Sequence, residues 1–189
     1  MKKVIPVLLA VVSATLIVAI PVRAEDTTLA QRLEQYKDAY PQNLTDDQLA
    51  AISAACPRAK SALSDLPSRL AATKLTYVGA YSLVDARLTA IQKRLNLQHI
   101  DTSTIDLLLA NYRRSIQRFE AAVDNYEQAL RDIEALDCSD AVGFEASLQA
   151  IRGYQADSVK SAGDIAAYLK TNLVQSFSVI SKTITGGDN

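Results

Sequence analysis

The sequence predicts an all-α fold, and three observations lead to it. Six glycines and five prolines among 189 residues leave too few turn signals for the many short strands of a sandwich or barrel. Two long stretches repeat apolar side chains in steps of three and four, the period of a helix face packed on another helix. The apolar 49% has three phenylalanines, one methionine and no tryptophan, so packing must rest on Leu, Ile, Val, Ala and Tyr, a set suited to slim helices in close contact. The expected architecture is an elongated antiparallel bundle of three helices, or four if the N-terminal pieces join it, with coiled-coil-like heptad packing and short N-terminal helices.

The chain opens on Met1-Lys2-Lys3, an uncharged apolar run over residues 4 to 22, and Arg23-Ala24 ahead of Glu25-Asp26. This is the layout of a secretory signal peptide over residues 1 to 24, with Val22 and Ala24 as the small side chains required before a cut after Ala24. The competing expectation is a retained signal-anchor, because a run of that length also spans a bilayer. Under either, residues 25 to 184 form a single helical domain outside the cytoplasm, and residues 185 to 189 form a disordered tail. Without Lys2, Lys3 and Arg23 the chain keeps 17 basic and 21 acidic residues, a balance that argues against non-specific nucleic-acid binding.

Two short helices come first, over residues 28 to 40 and 46 to 56, and Pro41 closes the first. Thr45 and Gln48 have the spacing of a capping box, and Asp46 and Asp47 suit the positive end of the helix dipole. Pro57 disfavours an α conformation at Cys56, so a break is expected there. Ser64-Asp65-Leu66-Pro67 reads as a fresh start, with Pro67 in the first turn. From it, Leu70, Tyr77, Tyr81, Val84, Leu88, Ile91 and Leu95 advance by fours and threes, interrupted only at Lys74.

Residues 98 to 103 read as a connection, with Ser103 or Thr104 as the next cap. Ile105, Leu109, Tyr112, Ile116, Phe119, Val123, Tyr126, Leu130 and Ile133 then repeat the spacing without a miss. A second connection over residues 136 to 140 leads to a last helix at 141 to 184, whose stripe is interrupted by Gln155 and Ser158 and weakened by Gly153 and Gly163. At the helical rise the three main helices would be roughly 45, 50 and 65 Å long. Such short connections make consecutive helices antiparallel neighbours.

That geometry brings Cys56, shortly before the first long helix, to the same end of the rod as Cys138, just after the second. In an oxidising compartment the two thiols are expected to form a disulfide, closing a loop of about 80 residues and contributing about 3 to 4 kcal/mol by chain entropy. Two free buried thiols are the bland alternative; a redox pair lacks the Cys-x-x-Cys spacing.

Candidate chemistry is sparse. The one histidine, His99, falls in a connection, which is too little nitrogen for a metal site, and neither a nucleophile with a histidine base nor a glycine-rich phosphate cradle is apparent. The expectation is no catalytic residue, no metal and no cofactor. Lys93, Arg94, Arg113, Arg114 and Arg118 are expected at one height near the first connection, where they could contact an anionic surface; the plain alternative is a solvated helix face. The opposite end carries Asp124, Glu127, Asp132, Glu134, Asp137, Asp140 and Glu145, making the rod electrically lopsided. Tyr77, Tyr81, Tyr112 and Tyr126 are expected in the core, with hydroxyls reaching an edge.

Leu44-Thr45-Asp46-Asp47-Gln48 resembles the LTxxQ motif of Spy-type periplasmic chaperones, although this chain has one such motif and no methionine beyond the initiator. Leu44-Thr45, Gln48, Cys56, Asp101-Thr102, Tyr126, Leu136-Asp137-Cys138, the stretch at 144 to 148 and Arg152 together resemble uncharacterised secreted two-cysteine helical proteins of candidate-phylum bacteria, a likeness that implies export and a disulfide. The expected function is that of an exported, non-enzymatic interaction or scaffold protein whose partner is a protein or an envelope component. Self-association is open, and membrane contact is expected only through an uncleaved signal segment. The rivals are a chaperone-like protein and a membrane-tethered surface protein binding an anionic envelope component.

Overall fold

The computed structural model describes residues 27 to 185, with side chains as far as residue 182; residues 1 to 26, which include the expected signal peptide, and residues 186 to 189 lie outside the described residues. Of the described part, 87% is helical and none is strand, so the fold is an all-α bundle. Its elements are α1 (Leu29–Ala39), α2 (Asp46–Leu63), α3 (Leu66–Leu97), α4 (Ser103–Ala135) and α5 (Ala141–Thr185). Thr185, expected in the tail, is the last residue of α5.

Local chemistry sets the ends. Thr28 with Gln31 and Thr45 with Gln48 form capping boxes, so each threonine accepts the third helical amide while the glutamine accepts the threonine amide. At the end of α3 the amide of Ile100 donates to the Leu95 carbonyl and that of His99 to Asn96, a Schellman closure with His99 at the left-handed position, φ 57°. The cap of α4 is Thr102, one residue earlier than expected, because Asp101 instead accepts from the Ser103 amide and hydroxyl. Asp140 caps α5 by accepting from the Gly143 amide at 2.9 Å.

Helix α2 does not break at Cys56. It runs through Pro57 to Leu63. Pro57 cannot donate to the carbonyl four residues back, but it is exposed, so water can reach that face of the helix. Ile52 before it, and Ala59 and Leu63 after it, pack on one core cluster, and Lys60 donates to the Leu136 carbonyl at 2.8 Å. Tertiary anchoring on both sides outweighs the local cost. The backbone at Ser64 and Asp65 stays right-handed, so α2 passes into α3 without reversing.

Paired side chains give the register. Cys56 meets Cys138, Lys60 meets Leu136, Lys74 meets Asp124, Asp85 meets Arg113 and Gln92 meets Asp106. Advancing along α2 and α3 retreats along α4 almost residue for residue, so α2 and α3 form one line antiparallel to α4. Helix α5 returns along α4, as the Tyr168 hydroxyl on the Leu108 carbonyl requires. Helix α1 lies against α4 and α5 at the cysteine end, where Arg32 and Tyr36 reach Asp132 and Tyr36 packs edge-on against Tyr154. The molecule therefore has four helices at its base and three above.

Two core clusters divide along the same line. The base cluster includes Tyr36, Cys56, Leu130, Ile133 and Phe144; the upper one includes Leu88, Leu95, Ile105, Tyr112 and Ile165. Leu70 packs against both. Gly153, which weakened the sequence signal for α5, leaves the helix unbroken and makes room for Tyr40, since a Cβ there would stand 2.5 Å from the Tyr40 hydroxyl. Ile180 is buried in the upper cluster together with Ile100, so most of the length of α5 is packed against the bundle. Among the described residues no helix is long and apolar enough to cross a membrane.

Candidate functional site

The apolar seam is buried on α4 at all but Ile116, which is half-buried, and is less complete on α3. Ile105, Leu109, Tyr112, Phe119, Val123 and Leu130 are all buried, whereas Tyr77 on α3 is 45% exposed. The cause is the order of packing. Helix α4 supports both neighbours, while α3 packs mainly on α4 alone, so α3 and α5 stand apart over the middle of α4. A trough of about 510 Å³ opens between them.

Its floor is Phe119, Val123 and Tyr126 from α4. One wall is α3, with Leu70, Thr73, Lys74 and Tyr77; the other is α5, from Gln155 and Ser158 to Ala166. Along that second wall Ala162, Gly163 and Ala166 are too small to bridge to α3, and a Cβ built at Gly163 meets nothing within 4 Å. Tyr77, Tyr81 and Phe119 pack at the α3 side with ring centroids 5.5 to 6.0 Å apart, which fixes that wall. Val159 on the rim is 68% exposed.

Among the described residues Lys74 is the one cation in the lining, and no carboxylate lines it. Its ammonium pairs with Asp124, whose side chain is 54% exposed. The Tyr126 hydroxyl has no hydrogen-bond partner among the described residues, while Ser158 donates to the Gln155 carbonyl at 2.8 Å. A long apolar surface with one cation on its wall is suited to holding an apolar group. Among the described residues no cluster of three or more histidine, cysteine or acidic side chains could hold a metal ion.

Cys56 and Cys138 are joined, with sulfurs 2.01 Å and Cα atoms 5.6 Å apart, and the bond ties α2 to the connection between α4 and α5. The five basic residues do not form one patch. Arg113 grips Asp85 with Nε at 2.7 Å and Nη2 at 3.0 Å and also donates to Thr89, so its charge is matched. Arg114 and Arg118 are exposed on other sides of α4. Lys93 and Arg94 are exposed but not level with Arg113, because Gln92 meets Asp106 and thus places them about 12 Å further along the axis. Lys93 and Arg94 lie within about one turn of the end of α3, whereas Arg113 to Arg118 lie about three turns or more into α4, so the two sets stand at different heights.

The acidic end is also less bare than its composition suggests. Asp132 is 2% exposed and accepts from Arg32 at 2.8 and 2.7 Å, from Tyr36 at 2.8 Å and from Gln128 at 2.8 Å. Burial alone would raise its pKa, but the hydrogen bonds from Arg32, Gln128 and Tyr36 and the arginine charge outweigh it and hold the carboxyl below its ordinary value. Asp140, besides its capping bond, pairs with Lys37 at 3.2 Å. Burial pushes the Tyr112 hydroxyl up to about 12, and it donates to the Tyr81 carbonyl.

The trough has a trace in the sequence, since Gln155 and Ser158, which interrupt the α5 stripe, both line it. The Asp132 network has a weaker trace, an acid one residue from the apolar Ile133. No protein-family model, curated protein or solved structure matches this chain.

Proposed function

We propose that this is a non-enzymatic extracytoplasmic binding module whose working surface is the trough between α3 and α5, holding an apolar part of a partner. The observation that carries this reading is the opening itself, about 510 Å³ of mainly apolar wall between α3 and α5. A disulfide fits an oxidising compartment, which supports placement outside the cytoplasm. The ionisable groups in the lining are one lysine and two tyrosines, which offer no pairing of acid with base near neutral pH.

Chaperone activity draws less support from these observations. The LTxxQ stretch is accounted for by the capping bonds between Thr45 and Gln48, and it lies on α2 rather than on the trough. Docking to an anionic envelope component is weakened by the matched charge of Arg113 and the spread of the other four basic residues.

A photo-crosslinking residue placed at Val159, on the rim, and separately at Arg118, on the outer face of α4, tests the reading in the producing cell. Adducts are expected at Val159 and not at Arg118, and they should vanish when Gly163→Leu fills the trough. Equal yields at both positions, or adducts indifferent to Gly163→Leu, would overturn it.

A further inference from the structure

We infer that the trough takes the alkyl chain of a single-chain anionic amphiphile, a long-chain carboxylate, with its head at Lys74; this rests on the trough being the working surface. Size narrows the occupant first. Gln155 to Ala166 spans about 16 Å at the helical rise, the reach of an extended chain of about a dozen carbons. The volume of about 510 Å³ falls within the range of small-molecule sites. A partner helix of the same length, 10 to 12 Å across, displaces about 1,500 Å³, so a second copy of this chain could only rest on the rims.

Polarity narrows it further. An extended peptide brings an amide donor and acceptor at every residue, and these need partners once buried. Both walls and the floor are helices, whose backbone groups are already bonded within the helix. The polar side chains of the lining are few, and Ser158 and Thr73 already donate to backbone carbonyls. An alkyl chain makes no such demand and gains from every methylene it removes from water.

Charge selects the head. Lys74 is the one cation in the lining, and no acid faces it from within the trough. Its present partner, Asp124, is more than half exposed, and such a surface pair is weak enough to be exchanged. A carboxylate at the wall thus finds a cation that already receives one. A cationic head would meet Lys74 with like charge.

The test uses the protein from residue 25 onward with its disulfide intact, titrated with tetradecanoate below its micellar concentration and read by calorimetry and native mass spectrometry. One tetradecanoate per chain is expected. Tetradecanol should bind more weakly, and tetradecyltrimethylammonium more weakly still. Lys74→Met should weaken the carboxylate about tenfold and leave the alcohol unchanged. Gly163→Leu, placed where a Cβ meets nothing, should abolish binding of both without lowering the unfolding midpoint.

No binding by the unmodified protein, equal affinity for the carboxylate and the ammonium, or unchanged binding by Gly163→Leu would each overturn the inference. If tetradecanoate fails to bind while the Val159 crosslink persists, the trough has another occupant and only this inference falls. Loss of both removes the functional reading as well.

Discussion

Asp132 sits in a position where a charge needs every partner it has. It is buried, it accepts bonds from Arg32, Tyr36 and Gln128, and Arg32 also donates to the Thr27 carbonyl, so one carboxylate fastens α1 to α4. Asp132→Asn keeps the shape but leaves the Arg32 guanidinium without its counter-charge. A loss of about 3 kcal/mol is expected, measured by urea unfolding at pH 7. The pH dependence follows from the lowered folded-state pKa. The contribution of Asp132 is fully present above the unfolded value of about 4 and is lost as pH falls through the lower folded value, so the gap between the parent and Asp132→Asn should close in acid. A gap that stays constant to pH 2 would mean that the carboxylate charge is not what holds α1. At this scale the sequence was informative about the cap at Thr45, because a capping box is local. It was not informative about Asp132, whose partner Arg32 lies 100 residues away.

Among the elements, α5 best separates what propensity decides from what packing decides. Its two central glycines lower helix propensity equally, yet they have different surroundings. Gly163→Ala meets open space and should stabilise by about 0.8 kcal/mol through helix propensity alone. Gly153→Ala should gain clearly less, because its methyl must displace the Tyr40 hydroxyl; thermal unfolding of both variants checks this. Equal gains would mean that Tyr40 contributes nothing where it docks on α5. The periodicity of residues 105 to 133 made α4 readable because α4 is the central helix and buries nearly all of its stripe. Helix α3 has the same period, but a period cannot reveal whether a second helix closes over it, and at Tyr77 none does. The expected break at Pro57 came from a local rule, whereas Ile52 and Leu63, on either side, belong to one distant cluster.

For the whole molecule, the antiparallel arrangement and the meeting of the two cysteines followed from element lengths and short connections. The trough could not be derived that way, because it depends on the separation of two helices that are not consecutive. The disulfide spans 82 residues and should contribute about 4 kcal/mol by constraining the unfolded chain. Its reduction is therefore expected to lower the melting temperature by roughly 10 °C, measured by calorimetry with and without reductant. A shift under about 3 °C would place the stability of the base in its packing instead.

The staple also distributes motion unevenly. Helix α3 is tied at its foot through α2 to the disulfide and at its far end through residues 98 to 102 to α4, leans on one neighbour between them, and joins both core clusters at Leu70. Fixed at both ends, it is least supported in its middle, and amide exchange should accordingly run faster along residues 71 to 87 than along the α4 residues facing them. The distance between the trough walls is then an adjustable quantity, set by how far the middle of α3 bows and available to guests of more than one girth.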